Sequence, residues 1–356
     1  MGIWMPVRVQ RGAAKMQHEQ LATPSGFDWD WNDVRVLLSC VRLGSFRKAA
    51  DQLGLNSTTV MRRIEGFEER LGFPLLNRLH DGVSPTDAGR ALVKSCEDME
   101  RAFFEVVRKV PQPETQHRGV VRVSITEGLG IYWVMPRLVS FSQQYPNLIV
   151  DLRCSMESAD VLRMEADVAV QFVRPTAPDL IATKLGRLHI YPFAAKAYIE
   201  RYGLPKDRAD MVHHRLVQQA APQIDANAWA RLLGLESVEG IVGIRSNASS
   251  AVFYAVERGA GIGALPTYAC ALDAPVVPID IGIHLSFDVW LTYHPDARRT
   301  KRTSLVIDWI RTIFDPARYP WFRAEFIHPN DLLKQLPRDT PAASVGGFFT
   351  ATPTGD

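Results

Sequence analysis

Between residues 31 and 89, apolar residues recur three times at the spacing of an amphipathic helix, and this segment constrains the fold more than any other. The three sets are Val34, Leu37, Leu38 and Val41, then Phe46, Ala49, Ala50 and Leu53, then Val60, Ile64, Phe67 and Leu71. Gly44 and Gly54 end the first two helices, whereas Ser45, and then Asn56 or Ser57, are residue types that cap the helices that follow. The pattern predicts three helices packed around one small core.

A short hairpin is predicted directly after the third helix. Gly72 closes that helix, and Asp81-Gly82 lies between two short extended stretches, which is a strong signal for a hairpin turn. Three helices followed by a hairpin form a winged helix-turn-helix. The face of the third helix opposite its apolar stripe is polar and consists of Ser57, Thr58, Thr59, Arg62 and Arg63. This class of fold predicts a DNA-binding protein.

A long helix with a different apolar period follows the hairpin. Thr86 is its expected cap, and Pro111 ends it. Its apolar positions step by four and three residues, and they are Leu92, Cys96, Met99, Phe103, Val106 and Val110. These steps make a heptad seam, which favours pairing with a second copy of the same helix. Packing of the helix on the C-terminal part of its own chain is the alternative.

From Gly119 onward the sequence alternates between strand and helix signals. Strands are expected at 120–126, 148–154, 167–173, 188–194, 241–246 and 287–293. Helices are expected around Ile131 to Phe141, briefly between the second and third strands, at 249–258 and around Leu305 to Ile313, with a loop at 259–266. This order predicts two α/β halves with parallel sheets, joined by two crossing strands and separated by a cleft. We expect a hinge near 190–194 and 287–293.

Composition sets the broad class of the protein. A chain of 356 residues predicts two or three domains, and it has no run of eighteen apolar residues that could cross a membrane. Residues 31–95 contain ten Lys and Arg against seven Asp and Glu, a charge of +3, whereas residues 120–315 contain twenty of each. A mildly basic head on a neutral body is compatible with phosphate contacts. Residues 1–28 lack a signal-peptide core and predict a disordered leader, so we expect a cytoplasmic protein.

Four cysteines are widely separated along the chain. Cys40, Cys96, Cys154 and Cys270 form no C-x-x-C pair and have no histidine at metal-ligand spacing. We expect neither a metal site nor a disulfide, and interpret all four as small buried apolar residues, with a redox switch as the alternative.

Particular residues connect both regions to one known family. In the N-terminal region they are Gly44-Ser45-Phe46, Ala49-Ala50, Leu53, Arg62, Ile64, Glu68, Leu71-Gly72, Leu75-Leu76, Arg78, Gly82-Val83 and Pro85-Thr86-Asp87-Ala88-Gly89. This segment resembles the LysR-type transcriptional regulators. In the α/β region they are Pro136-Arg137, Tyr145-Pro146-Asn147, Asp167-Val168-Ala169, Ser246-Asn247, Gly259 to Gly263, and Pro266. That region resembles the family's two-subdomain effector domain of the periplasmic-binding-protein type 2 fold.

The resemblance implies a domain order and a set of partners. It places a winged helix-turn-helix at 29–87, a linker or dimerisation helix at 88–112, an effector domain at 119–315 and a poorly ordered tail at 316–356. The implied partners are double-stranded DNA, a small-molecule effector, RNA polymerase and further copies of the chain, as a homodimer or a dimer of dimers. No cofactor is implied. The implied function is sequence-specific transcription regulation, modulated by an effector bound between the two α/β subdomains.

The expected DNA contacts surround the start of the third helix and the hairpin. They are Ser45, Asn56, Ser57, Thr58, Thr59, Arg62, Arg63, Arg78 and His80. Helix N-terminal N–H groups and hydroxyls suit phosphate oxygens, and an arginine can bind guanine or phosphate. The sequence departs from the family at Ser57 and Thr58, where Gln or Pro is frequent, and at Asp81, where Arg is frequent at the tip of the hairpin. A carboxylate there repels phosphates, so we expect a weaker contribution from the hairpin.

The expected effector contacts are polar residues at strand ends and helix starts. They are Thr126, Ser155, Ser158, Gln171, Asn247 and Ser249. Backbone N–H groups at helix starts favour carboxylate ligands, which predicts a small polar metabolite. Glu127 lies beside the expected pocket and would repel an anion unless it is paired or points away. Each polar residue could instead be a helix cap or a loop stabiliser.

Two other classes of protein fit the sequence less well. An enzyme is disfavoured because the glycines at 259–263 follow a helix instead of a strand, which is not the arrangement of a dinucleotide-binding loop. His213-His214 has no metal-ligand partner at a suitable spacing. A transport-type solute-binding protein would share the C-terminal fold, but it would not carry a helix-turn-helix.

Overall fold

The computed structural model describes residues 30–110, 118–221, 224–225, 227–272, 274–332 and 334. The chain divides into two compact units, one ending at Phe103 and the other beginning at Phe104. The predicted leader 1–28 and the chain beyond 334 lie outside the described residues, as do residues 111–117. No helix within the described part of the chain is both long and apolar enough to cross a membrane.

The first unit is a three-helix core with a hairpin and the start of a long helix. Its elements are α1 Trp31–Leu43, α2 Phe46–Leu53, α3 Ser57–Leu71, β1 Leu76–Leu79, β2 Gly82–Pro85 and α4 Asp87–Lys109, the last of which continues into the second unit. The Ser45 hydroxyl accepts the Lys48 N–H at 3.4 Å, and the Thr86 hydroxyl accepts the Gly89 N–H at 2.9 Å. Both predicted caps are therefore present. The apolar stripes of the three helices pack together with Leu75, Val83 and Cys96.

The hairpin turn lies one residue earlier than predicted. Leu79 pairs with Gly82, so the two-residue loop is His80-Asp81 instead of Asp81-Gly82. Gly82 has φ +151°, and a Cβ at this position would lie 2.1 Å from the Gly44 carbonyl oxygen. Position 82 therefore requires glycine, because β2 approaches the end of α1 too closely for a side chain to fit. Val83 N–H donates to the same carbonyl at 2.9 Å.

The heptad seam of α4 is only partly covered. Cys96 is fully buried in the first unit, but Met99, Phe103, Val106 and Val110 are between 43% and 66% exposed. We call these four residues, three in α4 and Val110 directly after it, the apolar stripe of α4. The stripe offers an apolar face that the described residues leave open to solvent.

The second unit is built on one nine-stranded mixed sheet. Its strands are β3 Gly119–Ile125, β4 Leu148–Cys154, β5 Val168–Gln171, β6 Ile181–Ala195, β7 Leu216–Gln219, β8 Val242–Ser246, β9 Ile262–Pro266, β10 Val276–Pro278 and β11 Leu285–Tyr293. Its helices are α5 Glu127–Leu129, α6 Met135–Gln144, α7 Lys196–Tyr202, α8 Ala228–Leu233, α9 Ser249–Glu257, α10 Lys301–Ile313 and α11 Pro329–Leu332. A π-helical segment, Gly130–Val134, joins α5 to α6.

The strand order divides this sheet into the two predicted halves. The order is β4-β3-β5-β11-β6-β9-β7-β8, with β10 beside β6. β3 is parallel to β4 and β5 in the first half, and β7 is parallel to β8 and β9 in the second. β6 and β11 pair antiparallel along most of their length and connect the halves. This is the expected two-subdomain α/β fold.

Two local predictions in this unit are wrong. The short helix expected between β4 and β5 is a set of turns, because the Asp160 carboxylate accepts the N–H groups of Leu162 and Arg163 at 2.9 and 3.3 Å. The segment expected as a loop at 259–266 contains β9. Gly261 allows this strand to reach β7, since a Cβ there would lie 2.4 Å from the Arg215 carbonyl oxygen.

The prediction of a poorly ordered tail from 316 is wrong as far as residue 332. Trp321 and Phe322 are fully buried, and their rings lie 5.2 and 5.0 Å from that of Trp133. A Cβ at Gly186 would lie 2.5 Å from the Phe322 carbonyl oxygen, so the segment packs directly on β6. The segment is mostly irregular, and its α-helix, α11, has only four residues, which is too short to show a helical period in the sequence.

Candidate DNA-binding surface and ligand cavity

The start of α3 presents the polar edge that the sequence predicted. Asn56 caps the helix, with its side-chain oxygen accepting the Thr59 N–H at 2.7 Å. Thr58 and Arg62 are exposed, whereas Ser57 and Thr59 are half-buried. The amide oxygen of Asn56 is thus committed to the helix, and the side chains of Thr58 and Arg62 face solvent. The use of this edge to bind DNA stays a prediction.

The three predicted arginines differ in their partners. Arg63 lies 3.1 Å from the buried Asp33 carboxylate and 3.5 Å from that of Asp30. Arg78 pairs with Glu65 at 2.5 Å. Arg62 forms no ion pair or hydrogen bond with the described residues, so its guanidinium can bind an external acceptor without breaking an internal contact. Arg63 instead fastens α3 to α1, and Arg78 fastens β1 to α3.

The hairpin tip and α2 complete the exposed polar surface. His80 and Asp81 are 98% and 96% exposed, and their side chains are 2.8 Å apart, so the carboxylate occupies the ring nitrogen nearest to it. Sequence reasoning missed Arg47 and Lys48, which are exposed in the first turn of α2, directly after the capping Ser45. Their position opposite the buried Ala49-Ala50 pair was the signal that could have identified them.

A cavity of about 100 Å³ lies between the two halves of the second unit. Thr126 and Ser249, both predicted effector contacts, line it. Most of its walls are apolar side chains, among them Leu129, Tyr132, Met156, Phe172, Leu188, Ile190, Trp229, Leu232, Val252, Phe253, Leu265, Tyr268, Leu285 and Phe287. Predicted Asn247 is exposed and is not part of this lining.

The other predicted effector contacts surround a void that has no free volume. Ser155, Ser158 and Gln171 lie around it together with Thr126. The Gln171 amide donates to the Val173 carbonyl at 2.8 Å, and the Ser155 hydroxyl accepts the Glu157 N–H at 3.0 Å. Gln171 and Ser155 therefore stabilise local backbone in this form of the protein.

Glu127 is paired, which answers the question that the sequence left open. Its carboxylate accepts the Ser250 N–H at 3.0 Å and the Ser250 hydroxyl at 2.5 Å. Since Ser250 is in the first turn of α9, this carboxylate from the first half occupies the positive end of a helix in the second half. The Tyr132 hydroxyl donates to the Ser250 carbonyl at 3.4 Å, and burial raises the pKa of that phenol. The halves are thereby held together on this side of the cavity.

Two hydroxyl groups in the cavity lining lack a partner. The Thr126 and Tyr268 hydroxyl oxygens are buried and make no hydrogen bond with any described residue. Thr126 is 3% exposed and Tyr268 is fully buried. Burial also raises the pKa of Tyr268, so its phenol stays protonated and can donate. A buried hydroxyl without a partner can donate a hydrogen bond to a bound group that reaches it.

A small ionic cluster within the second unit involves the last turns of α4. The side chains of Glu105, His294 and Asp296 bring potential ligand atoms within 4.8 Å of one another. Arg108 pairs with Glu105 at 2.7 Å and donates to the Leu162 carbonyl at 2.8 Å. His294 Nδ1 already accepts the Asp296 N–H at 3.2 Å. These partners commit the group to ion pairs and hydrogen bonds.

The cysteines are mostly buried thiols. Cys40 and Cys96 are buried, and burial raises their pKa values to about 12 and about 11. Cys154 and Cys270 are half-buried, and burial also raises the pKa of Cys270 to about 12. A raised pKa disfavours the reactive thiolate, which supports the interpretation as apolar packing residues.

Comparison with known protein families gives two matches that together span most of the chain. Residues 31–90 match the family model described as bacterial regulatory helix-turn-helix protein, lysR family. Residues 114–315 match the model described as LysR substrate binding domain.

Individual relatives agree with these matches. An HTH-type transcriptional regulator of Xanthomonas campestris pv. campestris is 37% identical over 52% of this chain, but the alignment spans only 54% of that protein. A probable HTH-type transcriptional regulator LtrA of Klebsiella pneumoniae is 23% identical over 78% of this chain and 93% of its own length. The full-length structure of the Vibrio cholerae virulence activator AphB, a member of the LTTR family, has a TM-score of 0.50 at 20% identity, covering 79% of this chain and 98% of AphB. This structural likeness shows a shared fold.

Proposed function

Because the chain belongs to the LysR family of transcriptional regulators, we propose that it reads duplex DNA with the polar edge of α3 that runs from Asn56 to Arg62. The family has a helix-turn-helix DNA-binding domain and an effector-binding domain, and both are present here. The observation that carries the residue assignment is the exposed Arg62, whose guanidinium has no partner among the described residues.

The local geometry supports a division of labour among the polar residues. An arginine on a helix in the major groove can donate two hydrogen bonds to one guanine, and N–H groups and hydroxyls at the helix start suit phosphates. Arg62 and Thr58 are free to contact bases or backbone, and Arg47 and Lys48 extend the cationic surface along α2. Arg63 fixes the angle of α3 through its ion pair with Asp33, so it contributes to DNA binding by positioning.

Substitution of Arg62 tests this proposal. The operator is first selected from genomic fragments that the wild-type protein retains, and binding is then measured by fluorescence anisotropy. Arg62→Ala should lose specific operator binding, at a cost of about 1–3 kcal/mol of binding free energy for each bidentate base contact. Arg62→Lys keeps the positive charge but cannot make the bidentate contact, so it should bind DNA without the wild-type base preference. Arg35→Ala, at an exposed arginine on α1, is the matched control and should bind normally. Unchanged operator affinity in a folded Arg62→Ala protein would refute the assignment.

We further infer that the active form is a homodimer or a dimer of dimers. The apolar stripe of α4 remains exposed, with its four residues between 43% and 66% exposed. Apolar faces of this kind favour association of identical copies. Sedimentation equilibrium showing only monomer at micromolar concentration would contradict this inference.

A role in transcription regulation also implies where the protein acts and which further partner it has. Such a protein acts where the chromosome is, in the cytoplasm, and affects initiation by RNA polymerase. We infer that it works by binding DNA and an effector, as the family of transcriptional regulators does. A pull-down of RNA polymerase on operator DNA, with and without the protein, tests the polymerase contact; equal recovery would count against it.

A further inference from the structure

We propose that the cavity takes a small uncharged molecule of single-ring size, mostly apolar, with one hydroxyl or carbonyl oxygen, and that it rejects carboxylates. The inference rests on the proposed function, in which the LysR family's effector binds between the two halves of the second unit, where this cavity lies. It replaces the small polar metabolite that the sequence pattern favoured with a different chemical class.

The walls favour apolar surface on the ligand. Aromatic rings from both halves and from the crossing strands meet in the cavity, including Phe172, Trp229, Phe253 and Phe287. Tyr132 and Phe253 lie against each other with ring centroids 4.5 Å apart. A charge moved from water into such surroundings loses its hydration without compensation, whereas an apolar ring gains from burial. The composition of the walls thus selects against any ion that lacks a fixed counter-ion.

The fixed charges near the cavity select specifically against anions. No lysine, arginine or histidine is present among its described lining residues, and the acidic residue in that lining is Asp225, which pairs with Arg231. The start of α9, where a ligand carboxylate would find N–H groups, already holds the Glu127 carboxylate. A second carboxylate there would meet like charge instead of free donors.

The unpaired hydroxyls specify one polar group on the ligand. Thr126 lies at the end of β3 and Tyr268 follows β9, so the two hydroxyls come from opposite halves of the unit. A neutral ligand oxygen can accept a hydrogen bond from either group and satisfy donors that are otherwise buried without partners.

The volume limits the ligand to about one ring. The cavity measures about 100 Å³, the same order as the engineered apolar cavity of about 150 Å³ that accepts benzene. Benzyl alcohol therefore represents the proposed class. Benzoate and benzylamine are its anionic and cationic analogues of similar size.

Binding of four probes to the full-length protein tests the ligand class. Benzyl alcohol, benzoate, benzylamine and toluene share one ring but differ in polarity and charge, and their affinities are measured by ligand-observed NMR titration. Benzyl alcohol should bind at least tenfold more tightly than benzoate and benzylamine. Equal or tighter binding of benzoate or of benzylamine would overturn the proposal, as would no binding of benzyl alcohol at millimolar concentration.

Three variants test the residues. Tyr268→Phe and Thr126→Val should each weaken benzyl alcohol about threefold to tenfold but leave toluene unchanged, so toluene also reports that the cavity is intact. Tyr254→Phe, which alters an exposed tyrosine of α9, is the matched control and should change neither affinity. Glu127→Gln should improve benzoate binding relative to wild type. Unchanged benzyl alcohol affinity in both hydroxyl variants, or unchanged benzoate affinity in Glu127→Gln, would overturn the residue assignments.

Failure of this inference is separable from failure of the proposed function. Operator binding by wild type and its loss in Arg62→Ala are measured without any ligand. If the protein binds its operator but not benzyl alcohol, the ligand class alone is wrong. If it binds benzyl alcohol and no operator, the ligand class stands and the DNA assignment is wrong.

Discussion

Removal of the Trp321 side chain should destabilise the second unit substantially, although the residue lies beyond the last helix expected from the sequence. Trp321 is fully buried and contacts Trp133 edge-to-face, with ring centroids 5.2 Å apart. Trp133 in turn donates from its indole nitrogen to the Ile313 carbonyl at 2.8 Å, so the ring cluster also secures the end of α10. Replacement of the Trp321 side chain by a smaller one therefore leaves a cavity beside Trp133, which packs at the centre of this ring cluster.

The loss of stability in Trp321→Ala can be calculated from the buried area of the side chain and from its unpaired indole N–H. A tryptophan side chain buries about 200 Å², which at about 25 cal/mol per Å² corresponds to about 5 kcal/mol. Measured Trp→Ala substitutions in cores cost about 3–5 kcal/mol. The indole N–H of Trp321 is buried without a hydrogen-bond partner among the described residues, and its removal recovers part of that penalty. We expect Trp321→Ala to lower the free energy of unfolding by about 3 kcal/mol.

Urea unfolding of the full chain, followed by far-UV circular dichroism, measures this change. Trp321→Phe keeps a ring against Trp133 and removes the unpaired N–H, so its cost should stay below about 1.5 kcal/mol. Tyr254→Ala, at a residue that is 51% exposed, serves as the control and should stay within about 0.5 kcal/mol of wild type. A Trp321→Ala protein within about 1 kcal/mol of wild type would refute the packing argument.

Two further predictions concern association and pH. Val106→Glu places a charge in the apolar stripe of α4 and should shift the protein toward monomer in sedimentation experiments. Val173→Glu is the control, because Val173 is 57% exposed and Val106 is 66% exposed, and it should leave the oligomeric state unchanged. If both variants had the same oligomeric state, the stripe would not be part of the interface. Burial lowers the pKa of His189 in the folded protein below its ordinary value of 6.5. As the pH drops below about 6.5, the histidine therefore takes up a proton in the unfolded chain but not in the folded protein, and the free energy of unfolding should fall. His189→Gln should flatten that decline, measured by urea unfolding between about pH 7.5 and about pH 5.5; an unchanged slope would exclude His189 as its source.

Elements held by local interactions could be predicted from the sequence. Helices α1 to α3 follow from the spacing of their apolar residues, and Ser45 and Thr86 cap the helices that they precede. β4 has the predicted bounds, Leu148–Cys154, because apolar residues occupy every second position from 148 to 154 and pack against the core. The hairpin turn was misplaced by one residue, since the role of Gly82 depends on Gly44, which is distant in sequence.

Features that depend on distant partners could not be predicted in this way. β9 is a strand because β6 and β7 lie on either side of it, and its glycines gave a loop signal when considered alone. The segment 316–332 is ordered because Trp133 lies beneath it. The same limit applies to the ion pair between Arg63 and Asp33, because the two residues belong to different helices and the sequence alone does not bring them together.

The ligand cavity shows why a helix start is weak grounds for expecting a carboxylate ligand. The N–H groups and partial positive charge at the start of α9 are real, but the chain supplies its own carboxylate, Glu127, from the facing half. Once that internal pair forms, the helix start holds the two halves together and no longer attracts an anion. The lining also contains two buried hydroxyls without a hydrogen-bond partner among the described residues, those of Thr126 and Tyr268, within mostly apolar walls. Recognition at such a site depends on which donors the protein leaves unsatisfied, and this can be identified only after the internal hydrogen bonds have been assigned.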